Sequence, residues 1–376
     1  MKRIIITLFL GLLISCSDDE NKQQGSPYLI DLTGSIPESN IKLSDFVESI
    51  DYLKPDTSSG GLLSWIYGIK ITDERVLLRG LNTINIYDWK GSFLTEINSI
   101  GRGPGEYSRI LDFDIDNGTD SVIILSGRIL YYYSIKDGSF LKVLELEEPA
   151  WSFKVLDDEH FYLGSPPISG EPVTTHLILN RSGEQVKCSI NKFLFKSDFK
   201  VGINNEVSSY HTMNGVFYSE YLDDTIYLVS PETGFSPYVI FKKGNSGLTI
   251  EKRNSPGLEK VFQECMITSG LFETDKFLFV GFNYKSTSGL IAFNKETGDY
   301  FLNEYGIVND LDGGLPLKYA YLSNDSILIG IAYPTDILSH KVDNMYKSTN
   351  SKFLNIKSSI SEEENPVMVI YKIRKE

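Results

Sequence analysis

The chain has 376 residues, enough for one large domain or two ordinary ones, and length alone does not choose between them. Aromatic residues make up 12% of it, with 22 tyrosines, a content that favours strands. Its 36 basic and 50 acidic residues leave a formal charge of −14, so the surface repels phosphate backbones and excludes nucleic acid as a partner.

The first element in chain order is an export leader. Lys2 and Arg3 precede an apolar run from Ile4 to Ile14, which is too short to span a bilayer permanently and has the layout of a signal peptide. The run ends in Leu13, Ile14, Ser15 and Cys16, a stretch that resembles the lipobox of bacterial lipoproteins. That resemblance implies that residues 1–15 are the leader and that Cys16 carries the lipid holding the protein to a bilayer. SDDENKQQGSP follows, so residues 16–27 read as an acidic, flexible tether. In Gram-negative gut anaerobes, an acidic run directly after the lipidated cysteine resembles the signal for the outer face of the outer membrane, which implies a surface-exposed lipoprotein.

From there a repeat governs the chain. Six times a polar turn with Asp or Asn opens a short β-prone run, whose first apolar residues are Val76, Val122, Phe161, Val216, Phe277 and Ile327. Their spacing averages roughly 50, within the range of propeller blades. Five of the units then show a strand, a polar turn and another strand, with Gly91, Gly138, Gly183, Gly234 and Gly298 supplying the positive φ of tight hairpins. Each unit therefore reads as four antiparallel strands. The expected fold is an all-β, six-bladed β-propeller over residues 28–376, with a pair of two-sheet sandwiches as the alternative. VESIDYL, residues 47–53, has no unit of its own and is expected to complete the last blade beside the C-terminal strand. A charged insertion at 336–364, with Met345, Phe353, Leu354 and Ile356 as spaced apolar residues, reads as helical: a lid, a docking element or a plain surface insertion.

The lipobox, IGRGPGEY at 100–107, the blade turns and the ending NPVMVIYKI resemble the six-bladed β-propeller lipoproteins of Gram-negative gut anaerobes, a group largely of unknown function. The resemblance spans the mature chain and implies fold rather than activity.

Candidate chemistry is sparse. GRGPGEY is followed by a strand pattern and not by the helix that a phosphate loop needs, so a nucleotide site is excluded there. As a connection from the outer strand of blade 1 to the inner strand of blade 2, it is expected to place Arg102, Glu106 and Tyr107 near the channel mouth, where they either seal the blades together or bind a ligand. Asp112, Asp114 and Asp116 share one strand face. They are expected to be solvated or turn-capping carboxylates, with a channel-facing cation such as Ca2+ as the alternative. The histidines at 160, 176, 211 and 340 have no metal-ligand spacing, and no nucleophile elbow is present, so no resident metal, cofactor or catalytic residue is expected. Tyr131, Tyr132 and Tyr133 alternate faces in a strand and read as blade packing. Cys188 and Cys265 fall in different units and are expected to be buried free thiols. The function these features support is a membrane-anchored binding or scaffolding propeller that recognises a glycan, peptide or envelope protein at its mouth. The alternative is a propeller-type lyase or hydrolase using acidic and arginine residues there.

Overall fold

A computed structural model describes residues 26–375 except 39, 58–60, 168–173, 197–202, 204, 256, 258–261, 286 and 344–350. The leader, Cys16 and most of the tether lie outside the described residues, as does Met345. Six sheets form the blades of a ring; in blades 1, 2, 3 and 5 the four antiparallel strands follow one another in sequence order from the axis outward, whereas blades 4 and 6 each take their outermost strand from the N-terminal segment. The innermost strands are Gly68–Ile71, Asp112–Asp116, Ser152–Val155, Val207–Thr212, Ile267–Glu273 and Leu322–Ser323.

The sixth blade combines both ends of the repeat region. Strand β2 (Val47–Leu53) pairs with Val367–Ile373, Ile50 opposite Tyr371, and so forms the outermost strand of that blade, as the sequence pattern predicts. One strand was not expected. β1 (Tyr28–Asp31) adds to the outer edge of blade 4 in parallel, Tyr28 opposite Val239 and Asp31 opposite Lys242. Between β1 and β2 the chain crosses the rim of blade 5, bridging Glu38 to Leu302 and Lys42 to Val308. The described residues of 28–53 thus touch blades 4, 5 and 6 in turn.

The core is a series of layers between blades, because each strand sends alternate side chains to opposite neighbours. Tyr131 and Tyr133 pack in the layer shared with blade 1, whereas Tyr132 packs in the layer facing blade 3. The hairpin glycines have positive φ as predicted, and two of them also let blades approach closely. A Cβ on Gly91 would sit 2.3 Å from the Lys54 carbonyl oxygen of blade 6, and one on Gly138 would sit 2.9 Å from that of Glu96 in blade 1.

The insertion is helical, with α1 (Pro334–Ser339) and α2 (Lys352–Ser359). Phe353 and Ile337 are fully buried in the layer between blades 5 and 6, with half-buried Ile356 packed against them; Leu354 is half-buried. Lys357 Nζ donates to the carbonyls of Ile337, Leu338 and His340, closing the C-terminal end of α1. The free thiols are corrected in part: Cys265 is buried, but Cys188 is exposed, because it lies on the outermost strand of blade 3, where no further strand covers it.

Candidate functional site

The axis opens at one end into a cavity of about 410 Å³ lined from all six blades, including Arg79, Asp112, Ser152, Ser209, Ser269 and Tyr319. A narrower chamber of about 110 Å³ continues below it, sharing Arg79, Asp112, Ser209 and Tyr319 and adding Lys70, Lys154 and His211. Two side hollows, of about 530 and 390 Å³, adjoin the mouth along Tyr319. Tyr319 packs close against Gly270, which has no side chain; a Cβ at that position would come within 2.5 Å of the ring.

The three aspartates of the strand Asp112–Asp116 do share a face, and they stitch blade 2 to its neighbours. The inner edge of a blade carries unpaired N–H groups that must find acceptors when buried. Asp112 Oδ2 accepts from Phe153 N at 2.9 Å and from Lys154 Nζ at 2.7 Å. Asp114 accepts from Val155 N at 2.9 Å, His211 Nε2 at 2.7 Å and Lys70 Nζ at 2.6 Å. Asp116 is held by Arg181 at 2.6 Å. Lys70, Lys154 and Arg181 hold these carboxylates, and Asp114 and Asp116 are buried rather than solvated as expected. Among the described residues no cluster of three or more potential metal ligands occurs.

Burial alone would raise the Asp114 pKa, but Lys70 and His211 outweigh it and hold the carboxyl below the usual carboxylate range. Burial, followed by the Lys70 charge, depresses His211 below its usual 6.5, with Asp114 opposing. The unfolded chain therefore takes up this proton first as pH falls. Stability is expected to decline on acidification from pH 6.5 towards the lower folded value, and to be unaffected by this group above it. Urea midpoints at pH 7 and 5.5 check the sign, and the decline should be smaller in His211→Gln.

GRGPGEY forms a self-contained turn between blades 1 and 2. Glu106 Oε2 accepts from the Gly103 N–H at 2.7 Å, and the space beside Gly101 is filled by the same carboxylate. Tyr107 is fully buried; its hydroxyl donates to Asn82 O at 2.8 Å, and its ring meets Tyr131 and Tyr133 edge-on. Arg102 is exposed and, among the described residues, forms no ion pair with Glu106. None of Arg102, Glu106 and Tyr107 lines the mouth cavity.

The mouth residues the sequence reading missed are Lys70, Arg79, Lys154, His211 and Tyr319. A signal for part of the set was present. Lys70, Asp114 and Lys154 each occupy the third position of an inner strand, so aligning the units on those strands exposes a charged column in blades 1 to 3.

Six four-stranded blades closed into a ring make the chain a six-bladed β-propeller by architecture. It belongs to the family described as Domain of unknown function (DUF4934), whose model matches residues 27–372. The crystal structure of a "Putative exported protein" from Bacteroides fragilis NCTC 9343 is similar, with 19% identity and a TM-score of 0.73, covering 93% of this chain and 100% of that one. BamB from Moraxella catarrhalis aligns at 15% identity and a TM-score of 0.36, over 70% of this chain and 66% of that one. No curated protein matches the sequence.

Proposed function

We propose that this protein is an exported, lipid-anchored binding propeller of the outer membrane that holds a carbohydrate at its channel mouth. The observation that carries this reading is the composition of the mouth. Tyr67, Trp151, Tyr319 and Tyr321 line it together with Ser152, Ser208 and Ser209. Aromatic faces stack on the C–H surfaces of a sugar ring, and hydroxyls pair with its O–H groups, so this lining suits a polyhydroxylated ligand better than an apolar one. The carboxylates Asp112 and Asp114 are engaged by lysines and backbone N–H groups, which favours binding over acid–base chemistry. The leader and Cys16 supply the argument for export and anchoring, and among the described residues no helix is long and apolar enough to cross a membrane.

Parallel glycan and peptide arrays test the reading. Carbohydrate binding is expected, reduced about tenfold or more by Tyr319→Ala and unchanged by Arg102→Ala. Peptide binding with silence on the glycan array, or capture only of a neighbouring envelope protein, would replace the carbohydrate reading.

A further inference from the structure

The charges at the mouth are unbalanced in a direction opposite to the rest of the molecule. Lys70, Arg79 and Lys154 face the chamber, against the carboxylates of Asp112 and Asp114, in a chain whose overall formal charge is −14. His211 leaves the balance unchanged, because its ring is held neutral at pH 7. Each lysine has its own carboxylate, Lys70 with Asp114 at 2.6 Å and Lys154 with Asp112 at 2.7 Å. Arg79 is the cation left over.

Its guanidinium is fixed in place without being neutralised. Nη1 donates to Leu111 O at 3.1 Å and Nη2 to Ile110 O at 2.6 Å, which uses two of its five N–H donors. Buried Nε has no acceptor, and among the described residues no carboxylate stands in ion-pair range of the group. Asp112 is near enough to influence it electrostatically but makes its own bonds to Lys154 and Phe153 N. The Tyr67 ring lies 5.9 Å from the guanidinium carbon, another contact that leaves the charge uncompensated. Burial of the group lowers its pKa, the mark of a cation whose charged form the protein has not fully paid for.

We infer that the carbohydrate bound at the mouth carries an anionic group, a carboxylate or a sulfate ester, and that Arg79 receives it. This rests on the carbohydrate reading above and names the class of sugar: a uronic acid or a sulfated residue. A planar guanidinium already oriented by two carbonyls presents its remaining N–H groups in the fork that such oxyanions accept. The excess positive charge sits in a narrow, low-dielectric chamber, where it attracts an anion more strongly than an exposed arginine does. A sugar is favoured over a peptide C-terminus because serines and aromatic residues line the cavity that Arg79 borders.

Fluorescence titration of the intact protein, in which Trp151 lines the cavity, tests the inference. The probes are methyl glucuronide, glucose 6-sulfate, methyl glucoside as the neutral control, and an N-blocked dipeptide with a free carboxylate. The two acidic sugars are expected to bind at least about tenfold more tightly than the neutral one, and Arg79→Gln is expected to bring acidic and neutral sugars to the same affinity. The acidic preference of the unmutated protein should also shrink with added salt, a readout that holds even where Arg79→Gln folds poorly. Equal binding of neutral and acidic sugars overturns this inference and leaves the carbohydrate reading standing. Binding of the dipeptide alone overturns both, as does silence from every probe.

Discussion

Asp114→Asn is expected to lower the unfolding free energy by about 3–5 kcal/mol at pH 7, the cost of removing one partner from a buried ion pair. The substitution keeps size and an acceptor oxygen but removes the charge that faces Lys70, leaving an ammonium in the channel wall without compensation. The effect extends beyond one pair, because Asp114 is bonded from blades 1, 3 and 4 at once. A urea titration reads it as a lower midpoint at unchanged slope. In the double variant Lys70→Met/Asp114→Asn the unpaired cation is gone, so much of the loss should be recovered. A single-variant loss below about 1 kcal/mol would show that the carboxylate is dispensable to the ring.

Phe353→Ala is expected to cost about 3–5 kcal/mol, the range for truncating a fully buried phenylalanine. This bears on the role of the insertion. A lid over the mouth would lose little stability on losing one apolar side chain, whereas Phe353 packs in a core layer with Leu43, Val47 and Phe277. It also touches the Tyr52 ring of the closing strand β2, at 6.1 Å between centroids. The expected signature is a lower melting temperature with ligand binding intact on the folded fraction. Lost binding at unchanged stability would return the segment to the role of a lid.

The repeat made the ring legible because both of its markers are local. An Asp or Asn turn before a β-prone run and a glycine at a tight hairpin leave their mark within a few residues. The closing strand could be inferred because VESIDYL was a strand without a unit. β1 left no comparable mark: YLID is only four residues long, and its partner Val239–Lys242 is remote in sequence. The mouth was harder still. Which loop faces the axis depends on blade twist, which no spacing encodes, so GRGPGEY was expected at the mouth although its Glu106 and Tyr107 turn back into their own turn and into the layer between blades. The aspartates were read on the correct shared face, but their partners Lys70, Lys154 and His211 come from three other blades.

The sheet order of the sixth blade makes ring closure depend on the last strand of the repeat region. Val367–Ile373 lies between β2 and Ile327–Ala332, so the strand that locks the circle emerges later in synthesis than all the others. Until it arrives, β2 has no partner within its own blade and the sixth wedge of the ring is incomplete. Pairing residue 50 with residue 371 is a contact of very long sequence separation, the kind that slows folding. A chain built this way clasps its ring shut with strands from its two ends, so the clasp exists only once both have been made.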